Sequence, residues 1–141
     1  MLFRSLGDRL VTIEQELIEI VRTYAPEAAS IESLFFHKDA QAAAKLGHAR
    51  GVALLVCARA RLPVGEYAPA RVKRTVTGHG RAEKSQVALM MRALLGLAAV
   101  PPHDAADALA IAVTHLQSSV PAALKRRSMV SRRIPSNGAR K

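Results

Sequence analysis

The sequence predicts an α/β domain. Five segments repeat their apolar residues at helical spacing, and two short apolar runs between them read as strands. A helical pattern separates the two strands, so they are expected to lie parallel. Half of the 141 residues are apolar, enough for one domain core. With no Trp and only 4% aromatics, that core must be built from Ala, Leu and Val.

Residues 6–24 place Leu6, Leu10, Ile13, Leu17 and Val21 on one helical face, and Pro26 follows. Residues 28–36 (AASIESLFF) read as a buried parallel strand with Glu32 inside it. Asp39 can cap a long Ala-rich helix over 40–61, which carries Gly47 and Gly51 four apart. Each glycine costs a helix about 1 kcal/mol. Two on one face imply close approach of another helix, either within the domain or across a dimer seam. After Leu62-Pro63 comes a strand over 64–68, then a short helix from Pro69 to about Val76. Gly78 to Arg81 form a loop. Residues 82–96 form a helix bearing Val87, Met90, Met91, Leu94 and Leu95 and ending at Gly96. The last helix covers 104–117. A parallel pair needs cover on both faces and normally belongs to a larger sheet, so the helices carry more apolar surface than two strands can cover.

Charge is unevenly spread. Of 21 basic residues, 14 lie in 1–117 against 11 acids, and the other 7 lie in 118–141 with no acid. The expected organisation is one partial domain over 1–117 and a basic, disordered tail over 118–141. The net charge of +10 points to a polyanion, most simply nucleic acid. Cys57 is the single cysteine, so no disulfide can form within the chain and a reducing, cytoplasmic setting is expected. In its apolar surroundings it reads as a core residue rather than a nucleophile. No secretory signal is apparent at the start. The apolar stretch 40–60 is broken by Lys45, His48, Arg50 and Arg59, so no membrane partner is expected.

The chemistry lies in three carboxylates and a basic loop. Asp104 and Asp107 are three apart near a helix start and share one side of it. On spacing alone, a cap plus a first-turn acid is the simpler reading. Glu32 is costly in a buried strand unless it is paired or metal-bound. If its strand ends near the head of the last helix, the three converge, and all-oxygen ligation selects Mg²⁺ or Mn²⁺. Such ions suit phosphodiester hydrolysis, two of them flanking the scissile bond. Lys73, Arg74, Arg81 and Lys84 in VKRTVTGHGRAEKSQV (72–87) are either a solvated face or a phosphate clamp. Lys84 can also stabilise transition-state charge. Phe35 and Phe36 are core residues or, for one of them, a stacking platform for DNA bases. His79, His103 and Lys84 are all open as the general base.

The segments IESLFF (31–36), LGHARGVALL (46–55), VKRTVTGHGRAEKSQV (72–87) and DAADALAIAVTH (104–115) resemble those of RuvC-type Holliday-junction resolvases, of the RNase H-like superfamily. The resemblance runs from about Leu6 to Gln117. It implies an RNase H-like fold and a metal-dependent endonuclease that nicks four-way DNA junctions symmetrically as a homodimer, beside a branch-migration helicase complex. It implies that Glu32, Asp104 and Asp107 match three of the family's four metal ligands. Lys73 and Lys84 match its basic active-site positions, Phe35 its base-contacting aromatic, and the Gly47/Gly51 helix its dimer interface. The family's first strand bears the fourth ligand in a Gly-Ile-Asp-Pro-Gly-like motif, with two more strands after it, and this sequence shows no such motif. The expectation is an N-terminally truncated form with impaired activity or, alternatively, a non-catalytic fragment that binds junction DNA and dimerises.

Overall fold

The structure, a computed structural model, describes residues 5–33 and 40–119. The order is α1 (Leu6–Tyr24), β1 (Ala29–Glu32), α2 (Ala40–Arg59), β2 (Val64–Tyr67), α3 (Pro69–Thr77), α4 (Lys84–Leu95) and α5 (His103–Ser119). The α/β class, the five helices and the parallel pairing agree with the sequence reading. Ala29 pairs with Val64 and Glu32 with Tyr67.

Local chemistry fixes the ends of these elements. Ser5 caps α1 through a reciprocal box with Asp8. Pro69 opens α3, where its missing N–H is not needed. Glu83 and Gln86 form a second box at α4, and Gly96 ends that helix in the left-handed region at φ 63°. Helix α2 stops at Arg59, two residues before the expected end, as Arg61 takes φ 57°. Helix α5 runs to Ser119, past the expected boundary at 117. The Ser119 hydroxyl donates to the His115 carbonyl and Arg71 donates to Ser118. Asp39, Phe35, Phe36 and the tail from 120 on lie outside the described residues.

The core sits between β2 and the three C-terminal helices. Tyr67, Val72, Val76, Ala82, Val87, Ala88, Met91, Ala106 and Ala110 are buried together, with Leu109, Ile111 and Val113 packed against them. Strand alternation assigns the two faces of the sheet. Gly65 and Tyr67 face α5, where both meet His115. Val64 and Glu66 face α2, where Val64 shares an apolar cleft with Ala53, Leu54, Val56 and Cys57 and Glu66 pairs with Arg50. Helix α1 packs on α2. Its predicted face reaches only half-burial, and α1 has no buried residue. Val56 is the one buried residue of α2. The N-terminal layer is thus far less enclosed than the C-terminal one.

Candidate nuclease site

A cleft opens at the C-terminal end of β1. Glu32 (β1), Pro69, Val72 and Lys73 (α3), Lys84 and Val87 (α4), and Asp107 and Ile111 (α5) line it. Four elements therefore deliver two carboxylates and two ammonium groups to one place. Glu32 is the last residue of its strand, and its registry with Tyr67 puts it on the α5 side of the sheet. It lies at the open end, so it is exposed and not buried as the sequence predicts, and no residue of β1 is fully buried. Asp107 and Ile111, four apart, form one stripe of α5. Lys84, the first residue of α4, has its Nζ 3.7 Å from Asp107 Oδ2. Both side chains are substantially exposed, so this pair contributes about 0–1 kcal/mol.

Arg50 holds the strand ends together from the opposite face. It donates to the Glu32 carbonyl at 2.9 Å and to the Glu66 carboxylate, so one guanidinium bridges β1 and β2. Its side chain is only 16% exposed although it lies on a surface helix. In the sequence Arg50 reads as a polar break in an apolar run. Its bridging role has no local signature, because the partners lie 18 and 16 residues away.

The other predicted basic residues divide between two hollows. Lys73 and Lys84 line the Glu32 cleft. Arg74 and Arg81 line a second hollow with Ala70, Gly78, His79 and Gly80. Helix α3 forms a wall of both, since consecutive residues such as Lys73 and Arg74 point about 100° apart around a helix. The Thr77 hydroxyl braces the loop, donating to the Lys73 carbonyl and accepting from the His79 N–H.

The expected three-carboxylate set is only partly assembled. Asp104 is exposed and does not line the cleft, one turn back from Asp107. Among the described residues no three His, Cys, Asp or Glu side chains stand close enough together to hold a metal ion. Because α5 starts at His103, Asp104 is a first-turn acid rather than the cap. Glu32 and Asp107 nevertheless fit a divalent ion of the Mg²⁺ kind, which keeps several waters and takes one or two carboxylates plus phosphate oxygens.

Of the three candidate bases, Lys84 alone lines this cleft. His79 lines the other hollow, and His103 is exposed at the head of α5. Cys57 lines the apolar cleft between α1, α2 and the sheet, where burial raises its thiol pKa. That makes it a poor nucleophile. At Gly47 and Gly51 an added Cβ would meet nothing within 4 Å. Close packing at these glycines is therefore not seen among the described residues. No helix among the described residues is long and apolar enough to cross a membrane.

The family described as "Crossover junction endodeoxyribonuclease RuvC" matches residues 3–115. A RuvC of Sorangium cellulosum is 63% identical over 115 residues, 82% of this chain and 64% of the relative. A RuvC of Halorhodospira halophila is 51% identical over 111 residues, 79% of this chain and 66% of the relative. The chain thus spans about two thirds of the length of these relatives. Thermus thermophilus RuvC superposes with a TM-score of 0.72, and its complex with a Holliday junction substrate with 0.76. Both are 40% identical, over 80% of this chain and 69% of theirs. The likeness bears out the RNase H-like, RuvC-type fold expected from the sequence. On the family match and these identities, the chain belongs to the RuvC family of crossover junction endodeoxyribonucleases.

Proposed function

We propose that this protein resolves four-way (Holliday) DNA junctions in recombination and repair, by paired, symmetric, metal-dependent nicks made as a homodimer. The observation that carries this is the cleft where Glu32, Asp107, Lys73 and Lys84 meet in a chain of this family. The scissile phosphate binds between the two lysines, which offset its charge without fixing its orientation. Glu32 and Asp107 are the metal ligands lining the cleft, and Asp104, one turn back on the same helix, is the third expected ligand. Bound Mg²⁺ or Mn²⁺, two ions in the full arrangement, supplies an activated water and charge stabilisation at the leaving oxygen. Arg74 and Arg81 hold neighbouring backbone phosphates. Phe35, three residues beyond Glu32, contacts bases at the junction. Gly47 and Gly51, with open space above them, form the dimer seam. A branch-migration helicase complex is the expected partner, and the single thiol suits a cytoplasmic setting.

A second reading is a junction-binding, dimerising chain without hydrolysis. It is favoured by one observation: the cleft holds two carboxylates while Asp104 stands outside it. A labelled synthetic four-way junction, first in EDTA and then in Mg²⁺, separates the two. Symmetric nicking that Glu32→Gln abolishes supports resolution, and preference for the junction over a linear duplex sets it apart from another nuclease specificity. Binding in EDTA with no product in Mg²⁺ selects the second reading. A chain that neither binds nor cuts the junction refutes both.

A further inference from the structure

Eight residues beyond Asp107, on the same stripe of α5, stands His115. Its Nδ1 and the Tyr67 hydroxyl share a hydrogen bond at 2.9 Å. The two rings meet edge to face, with centroids 5.8 Å apart. The Arg71 guanidinium lies 5.0 Å from the Tyr67 ring centre and also donates to Ser118, so α3, β2 and α5 are tied at one point. Gly65 makes this possible. A Cβ there would come within 2.5 Å of His115 Nδ1, so only glycine lets the imidazole settle onto the strand.

Tyr67 is hydrogen-bonded directly to the strand that carries Glu32. The two are registry partners, and the Tyr67 carbonyl accepts the Ser33 N–H at 2.9 Å. His115 shares a rigid helix with Asp107. Beside the cleft α5 packs on α4 through the buried Ala106 and Ala110, but the one ion pair across it, Lys84–Asp107, is exposed and weak. The side-chain hydrogen bond that ties α5 to the sheet lies about 12 Å down the helix axis, at His115. A tilt of α5 by about 5° about that point moves Asp107 by about 1 Å. Metal and phosphate sites tolerate about half of that.

We propose that the Tyr67–His115 pair, seated on Gly65, is a positioning clamp that sets the separation of Glu32 from Asp107 across the cleft. The inference rests on the reading of that cleft as the metal and phosphate site. Neither residue touches substrate, and both act through the elements they join. Loss of the hydroxyl leaves the ring, its burial and the Arg71 stack in place, yet removes the polar tie that sets α5 against the sheet.

The test uses the whole protein and its Tyr67→Phe and Gly65→Ala variants. Mn²⁺ alone is titrated and its free signal followed by electron paramagnetic resonance, with junction affinity measured separately in EDTA. The expected result is junction binding in EDTA close to wild type and about tenfold weaker Mn²⁺ binding in both variants, the scale on which supporting residues act. Wild-type Mn²⁺ affinity in both variants would overturn the clamp, as would loss of junction binding in EDTA in step with Mn²⁺ affinity, which marks a general structural role. The reading of the cleft as a metal site fails separately, if Glu32→Gln leaves Mn²⁺ binding unchanged.

Discussion

Asp8 shows how one side chain can serve a helix end and report on it. Its carboxylate accepts from both the hydroxyl and the backbone N–H of Ser5, and these bonds hold its pKa below the usual 3.8. The folded value is depressed, so the stabilisation is present above the unfolded pKa and is lost as pH falls through the folded one. Ser5→Ala removes the larger, side-chain bond. The Asp8 carboxyl carbon, followed by NMR, should then titrate at higher pH than in the wild type. An unmoved midpoint would mean that the box does not persist in solution. Arg50 is the complementary case, a guanidinium whose fork matches two acceptors on different strands. Lysine offers a single point charge and cannot span both. Arg50→Lys should therefore lower stability in urea by about 1–2 kcal/mol, since Glu66 is half exposed and water recovers part of the ion pair.

Among the elements, the helices are legible in the sequence because they depend on local signals. Pro69 at a helix start and Gly78 and Gly96 just past helix ends act within a few residues of the chain. The strands are legible from apolar runs bounded by turns. Within the site, it is the family resemblance, not spacing, that singles out Lys73 and Lys84 among the four bases and groups Glu32 with Asp104 and Asp107. It does not show that Arg74 and Arg81 turn into another hollow, nor that Asp104 stands outside the cleft, because both depend on how α3 and α5 are rotated in the packed domain. Arg50 and the Tyr67–His115 pair are invisible for the same reason, since partners 48 residues apart leave no local pattern. Helix α2 supplies a prediction at this scale. Gly47, Gly51 and Leu55 form one row, Leu55 is 45% exposed, and the glycines have open space above them. Gly51→Arg should leave the fold intact and stabilise α2 by up to about 1 kcal/mol through helix propensity. The same change places a charge in the proposed seam and, on that proposal, should shift dimer toward monomer in sedimentation equilibrium. A monomer fraction equal to wild type would remove this row from the interface.

Charge divides the sequence into two unequal parts. Over residues 1–117 the basic surplus is only +3, so on the proposed function phosphate binding there depends on placement rather than bulk field. The two hollows beside α3 concentrate four of those cations within a short span of chain. Residues 118–141 add seven cations and no anion, all of them beyond the end of α5 at Ser119. A segment of that composition binds phosphates without choosing among DNA shapes, and each phosphate it neutralises releases condensed counterions. Ending the chain after Ser119 keeps α5 and its bond to Arg71 while removing every one of those cations. The logarithm of junction affinity plotted against that of salt should then flatten by about 0.9 for each phosphate that the tail had neutralised. The ratio of junction to linear-duplex affinity should stay the same or rise, because the shape-blind contribution is what disappears. An unchanged slope would place all phosphate binding on residues 1–119, and a fall in the ratio would give the tail a part in recognising the junction.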